Sequence, residues 1–229
     1  MTTLTSFQIY DLLNRARPLW LVKIDLSAAS LFWVDLSECM LGMANLSRAD
    51  MQWSNFAGAD LRKADLSMGN LFEAHMQRAN LNEANLSRAN LTRADLGKAE
   101  LVEAMLVEAT LSRASLSKAS LIRANLNNCN LSRADLSKAN MVNANLNGAD
   151  LTMANLFETN LSGATLRGAN LSKADLTAAI LTQADLSNAN LQGAELTETN
   201  LEGAILEGTN VAGTLLAEPP TSQVISVTK

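Results

Sequence analysis

From Leu21 to Leu216 every fifth residue is a large apolar side chain, and the phase never slips. Of these 40 centres 35 are Leu; the exceptions are Met51, Phe56, Met76, Met141 and Val211. Two residues before each centre stands a small residue, Ala at 29 of the 39 positions from Ile24 to Thr214. One residue before the centre, Asp and Asn dominate, as in Ala79-Asn80-Leu81-Asn82-Glu83 and Ala84-Asn85-Leu86-Ser87-Arg88. A period of five does not suit a helix, because five residues advance about 500° and the Leu positions would circle the axis. It does not suit a plain strand either, since five is odd and the centres would alternate faces. Apolar positions separated by two and then by three describe a short extended pair followed by a turn. Repeated, that unit predicts an all-β coil with every centre and every Ala inside, a solenoid read from its period.

The Ala-(Asp/Asn)-Leu-X-X unit resembles the pentapeptide-repeat family, over residues from about Lys23 to Leu216. The resemblance implies a right-handed quadrilateral parallel β-helix with four pentapeptides per coil, hence nearly ten coils and a rod roughly 45–50 Å long at strand spacing. We expect three parts: an N-terminal helical cap over 1–20, the β-helix over 21–216, and a loose or weakly docked tail over 217–229. The cap is a short α-helix from Thr5 to about Arg15, with an apolar stripe of Phe7, Ile9, Tyr10, Leu12 and Leu13, ended by Pro18. Two residues after the centre, the early coils use Arg, Lys and Glu. From Asn128 on that slot is increasingly Gly or Asn, which predicts type II turns with positive φ there and another turn geometry earlier.

Chemistry adds little to this picture. The net charge is -5, and no apolar run is long enough for a membrane helix. The start of the chain lacks the layout of a signal peptide, so a cytoplasmic location is the default expectation. Cys39 and Cys129 both occupy the small inward slot and lie four and a half coils apart, so they read as buried substitutes for Ala. The single histidine, His75, sits at an outward slot. No nucleophile elbow, phosphate loop or Cys/His metal spacing appears. The Asp and Asn residues before each centre follow the period, which assigns them to local backbone hydrogen bonding rather than catalysis. We expect no enzyme, no cofactor and no metal.

At four pentapeptides per coil, residues 20 apart stack, and three candidate surfaces emerge. The first coils place large apolar residues outward, and Trp20, Phe32, Trp33, Trp53 and Phe72 form a candidate partner patch. Two readings stay open: the N-terminal helix packs over them, or they bind a protein. Arg78, Lys98, Lys118 and Lys138 form one basic column and Arg93, Arg113 and Arg133 another. With Asp95, Asp135 and Asp175 between them, these columns predict a solvated, salt-bridged face. Residues 141–229 hold nine acidic and three basic side chains against 14 and 15 in residues 1–140, so Glu195, Glu198, Glu202 and Glu207 form a candidate acidic end. The leading function is a non-catalytic scaffold that binds an unidentified protein through its faces. The alternative is a DNA-mimic-like interaction with DNA gyrase or another topoisomerase, as in the quinolone-resistance branch of the family. That branch is an acidic dimeric rod, whereas this chain carries basic columns and shows no C-terminal dimerisation helix. A monomer or an end-to-end dimer, with no direct nucleic-acid contact, completes the expectation.

Overall fold

The computed structural model describes residues Asp11, Leu12, Ala16 and 18–217. The chain winds so that each residue preceding a centre bridges, in parallel, the residue 20 positions on, from Trp20–Met40 to Asn190–Asn210. Each pentapeptide ends in a hydrogen-bonded turn, so a 20-residue coil has four sides. The bonds around Leu81 stand for the rest. Leu81 N–H donates to the Glu100 carbonyl at 2.7 Å and Glu83 N–H to Val102 at 2.9 Å. Glu100 N–H returns to Ala79 at 3.0 Å, and Ala84 N–H closes the turn on Leu81 at 3.0 Å. Most backbone donors and acceptors are therefore consumed between coils and in the turns, and at many turns the N–H one residue after the centre is met by a side chain, as Asn82 N–H is by Asn80 Oδ1 at 3.1 Å.

The turn expectation is overturned. Every residue two after a centre, from Lys23 to Gly213, has positive φ, between 53° and 72°, with or without glycine. The turns are thus of one type throughout, with the positive-φ residue third in a type II turn. The reason is the ladder. The third residue of each turn in the stacked coils donates its own N–H to the next coil while the turn bond closes around it. Those two bonds hold the left-handed conformation against the side chain's preference, which normally opposes it by about 1–2 kcal/mol.

The core is a stack of centres and Ala. Centres from Leu21 to Leu196 are buried, including Phe56, Met51, Met76 and Met141. Polar residues in the small inward slot turn their side chains onto carbonyls: Thr159 Oγ1 donates to Leu136 at 2.7 Å, and Cys129 Sγ to Leu106 at 2.6 Å. Cys39 and Cys129 are buried and unbridged, as their slot predicts. Burial pushes the Cys129 thiol up to about 12. Gly69 occupies one Ala slot, and the terminal methyl of Met51 reaches into the space that a Cβ takes elsewhere.

Of the expected N-terminal helix, Asp11 and Leu12 are described; both are helical, and Leu12 packs half-buried against the core. The rest of that helix and the tail from 218 on lie outside the described residues. At the other end the ladder stops with Gly193 N–H on Ala212, and Leu201, Leu206, Val211 and Leu216 are only partly covered.

Candidate interaction surfaces

Four of the five residues in the aromatic patch come together. Trp33 lies over Trp53 with ring centroids 5.5 Å apart and planes 12° from parallel. Phe32 meets the Trp53 ring edge-on at 4.9 Å and Phe72 does so at 5.7 Å. The coil spacing explains this: Trp33 and Trp53 share one turn position, and Phe32 and Phe72 stand one residue earlier, two coils apart. Trp33 and Phe32 remain in solvent, 65% and 44% exposed, while Trp53 and Phe72 are half-buried. Trp20, 77% exposed, does not join them. It is two pentapeptides, half a coil, away from the Phe32–Trp33 turn, and its ladder partner is Met40.

Sequence reasoning missed how the cluster connects to charge. Trp53 Nε1–H donates to Glu73 Oε2 at 2.9 Å, and Glu73 Oε1 accepts from Arg93 Nε at 3.0 Å. Reading the column 33, 53, 73, 93 to its end would have found the link.

The two basic columns flank one side of the coil. Along that side run Asp95, Ser115 and Asp135 before the centres, and Gly97, Ser117 and Ser137 after them. The expected salt-bridged face is not what forms. Asp95 accepts Gly97 N–H at 2.9 Å and Gln77 Nε2 at 2.6 Å. Asp135 accepts Ser137 N–H at 3.0 Å and Asn155 Nδ2 at 3.0 Å, and Asp175 accepts Thr177 N–H at 2.9 Å. These carboxylates serve the backbone two residues on, an Asx contact repeated along the chain. Only the ends of the columns are paired, Arg93 with Glu73 and Lys138 with Glu158 at 3.4 Å. Lys138 Nζ also lies 5.8 Å from the centre of the Phe157 ring. Arg78, Lys98, Lys118, Arg113 and Arg133 have no ion pair among the described residues. Gly58 and Gly97 leave an open depression of about 500 Å³ beside Arg78, Lys98 and Lys118.

The other two edges are different. There Lys63 pairs with Glu83 at 3.3 Å, Arg123 with Glu103 at 2.6 Å, and Arg88 with Glu108 at 2.8 Å. The acidic end is a ring rather than a face. Glu195, Glu198, Glu202 and Glu207 are exposed but are spread over three successive pentapeptides, around Leu196, Leu201 and Leu206. Thr197, through its hydroxyl and then its N–H, holds the Glu195 carboxyl below its ordinary range. His75 is exposed, in a shallow depression with Trp53, Glu73 and Arg93. Among the described residues no helix is long and apolar enough to cross a membrane.

Residues 29–67, 70–106, 99–133, 114–152 and 154–193 match the family model for pentapeptide repeats, in eight copies. Among solved structures the chain is similar to HetL, a pentapeptide repeat protein involved in heterocyst differentiation regulation, from the cyanobacterium Nostoc sp. strain PCC 7120. That match has 35% identity, covers 93% of this chain and 94% of HetL, and has a TM-score of 0.88. Full-length QnrB1, a plasmid-mediated fluoroquinolone resistance protein, is 20% identical over 86% of this chain and 90% of its own, with a TM-score of 0.43. No curated protein matches the sequence.

Proposed function

Because the chain belongs to the pentapeptide-repeat family, a family of right-handed β-helix solenoids that serve generally as non-catalytic scaffolds, we propose that it is a rod that binds a protein partner through its faces. In this reading it has nearly ten coils, a helical cap over 1–20 and no enzymatic activity. The observation that carries the reading is the surface ring cluster in which exposed Phe32 and Trp33 pack with half-buried Trp53 and Phe72. Stacked aromatic side chains held rigidly in solvent by a backbone ladder are the kind of group on which binding energy concentrates. Rigidity matters here, since pre-ordered side chains lose little entropy on binding. The likeness to HetL over nearly the whole length of both chains supports placing the rod in regulation.

The test is capture from a native cell extract with the wild type and a Trp33→Ser, Trp53→Ser double variant. Circular dichroism is used to verify that the variant keeps its fold. A protein held by the wild type and released by the variant is the expected result. Capture that is the same for both, or no capture by either, overturns the aromatic cluster as the binding site. The gyrase alternative gains nothing from the geometry. An acidic rod that imitates DNA needs net negative faces, whereas one side here carries unpaired cations and two other edges carry mutually neutralised pairs.

A further inference from the structure

We propose that the side bounded by Arg78, Lys98 and Lys118 on one edge and by Arg113 and Arg133 on the other is a docking trough for an extended acidic peptide segment. The proposal rests on the reading of the chain as a protein-binding rod, but uses a different face and a different chemistry from the aromatic cluster.

The distribution of unpaired charge is the first argument. Apart from Lys23, Arg48 and Lys173, every described cation without an ion pair stands on these two edges, and Lys173 continues the second of them. Like charges stacked at strand spacing repel one another. On the opposite edges the same turn position interleaves Glu with Lys or Arg at 2.6–3.3 Å, so the fold has an available way to relieve that repulsion and does not use it here. Carboxylates are present on this side, but Asp95 and Asp135 are engaged with backbone and amide donors along its centre line. The cations are left for something else.

The second argument is shape. Apart from Asp95 and Asp135 on its centre line, the floor between the columns carries small residues, Gly97, Ser115, Ser117 and Ser137, and an open depression lies next to Lys98 and Lys118, with Gly97, Ser117, Asp95 and Glu38 in its lining. The extended part of one side is three residues, so the columns are roughly 10 Å apart. One extended chain fits that width. Its side chains alternate left and right about every 3.3 Å, which sends successive carboxylates toward opposite columns and keeps them away from the central Asp95 and Asp135. A nucleic acid fits less well. The stretch from Ser115 to Ser137 holds no aromatic ring on which a base could stack. The central carboxylates would also face the phosphates.

The probe is a fluorescein-labelled peptide of Glu-Glu pairs separated by single Ser residues, so that each pair sends one carboxylate to either side, followed by fluorescence anisotropy at low and high salt. Controls are the same peptide with Gln for Glu, and a thymidine oligonucleotide of equal charge. The wild type is expected to bind the Glu peptide, with affinity falling as salt screens the columns. The variant Lys98→Gln, Arg113→Gln, Lys118→Gln, Arg133→Gln is expected to lose about tenfold or more in affinity. The comparison variant Lys23→Gln, Arg48→Gln, which removes unpaired cations from other edges, is expected to change it less than about twofold. Unchanged circular dichroism and cooperative melting of all variants verify the fold. No binding at low salt, equal binding of the Gln peptide, tighter binding of the oligonucleotide, or equal loss in both variants each overturns the trough. The Trp33→Ser, Trp53→Ser variant should bind the peptide normally. The aromatic site can therefore fail its test while the trough passes, and the reverse.

Discussion

Gly69 gives the sharpest test of how the core is packed. It stands where the repeat puts Ala, its φ is not in the left-handed region, and its N–H closes the turn on Leu66 at 3.1 Å. A Cβ added there would lie 2.9 Å from the Leu66 carbonyl and 2.7 Å from Met51 Cε. The first contact belongs to the turn, which accommodates Ala at 29 of 39 equivalent positions. The second is particular to this site, where a centre with a long, unbranched side chain has grown into the gap. Gly69→Ala should therefore overpack the core by about 1–3 kcal/mol, against about 0.4–1 kcal/mol gained by stiffening the unfolded chain. The net expectation is a loss of about 1–2 kcal/mol. Met51→Leu removes the offending methyl. In that background Gly69→Ala should become stabilising by about 0.4–1 kcal/mol, so the two changes couple and the sign reverses. Equilibrium urea unfolding of the four proteins, followed by far-ultraviolet circular dichroism, measures this directly. If Gly69→Ala is neutral or stabilising with Met51 present, or if its effect is the same in both backgrounds, the packing argument is wrong.

Three further outcomes follow from individual sites. Gly168→Ala meets no atom within 4 Å, so its loss isolates the left-handed penalty: about 0.5–1 kcal/mol after the unfolded-state gain. Gly148→Ala should lose more because its Cβ also runs into the Asn128 amide oxygen; equal losses in thermal melts would refute the contact. The Asp60 carboxyl is held below its ordinary value of 3.8 chiefly by the Arg62 side chain, which donates to it at 2.6 Å and 2.8 Å. A depressed carboxyl contributes stability above its unfolded pKa and loses it as pH falls through the folded one. The difference between wild type and Arg62→Gln should therefore shrink below pH 3.8 in melts taken across the acid range, and a constant difference would contradict it. Cys129, with its thiol neutral and buried, and the buried Cys39 should both stay unreactive to Ellman's reagent until denaturant is added. Rapid native labelling would contradict their placement.

The inward half of the repeat was legible because nothing competes with it. A centre such as Leu81 and an Ala such as Ala79 have one place to go, and the five-residue phase alone puts them there. The stacking of residues 20 apart was legible for the same reason, and it correctly aligned Trp33 with Trp53 and Lys98 with Lys118. What was misread lies where two local demands meet. At the third turn position Gly and Asn suggested a special geometry late in the chain. Yet Arg113 at φ 58° and Gly168 at φ 64° adopt the same conformation, since the ladder bonds override propensity. Asp95 and Asp135 lie between cations and were read as their partners. A carboxylate two residues before a fixed backbone N–H meets that donor without ordering a long side chain, so the local bond forms. Trp20 is near Trp33 in number but half a coil away in space, and only the register separates proximity in sequence from proximity on a face.

The same turn position links stability to function. A side chain there is held in the left-handed region, and Gly relieves it. The late coils take that relief at Gly163, Gly168, Gly193, Gly203, Gly208 and Gly213. The middle coils decline it and retain long charged residues. On two edges those residues return some of the loss through ion pairs, as Arg88 does with Glu108, a gain of about 0.2–1 kcal/mol at an exposed site. Lys118 has no such partner and is stacked between Lys98 and Lys138. Lys118→Gly should therefore stabilise the protein by about 0.5–1 kcal/mol, from relieved backbone strain less the added freedom of the unfolded chain. The matching Arg88→Gly should gain less, because it forfeits an ion pair. Thermal melts of the two variants decide the point. A Lys118→Gly protein less stable than wild type would mean that the lysine supports the fold. A more stable one that also binds the acidic peptide more weakly would show that the side chain is kept for its contacts with a partner, at the expense of the rod that carries it.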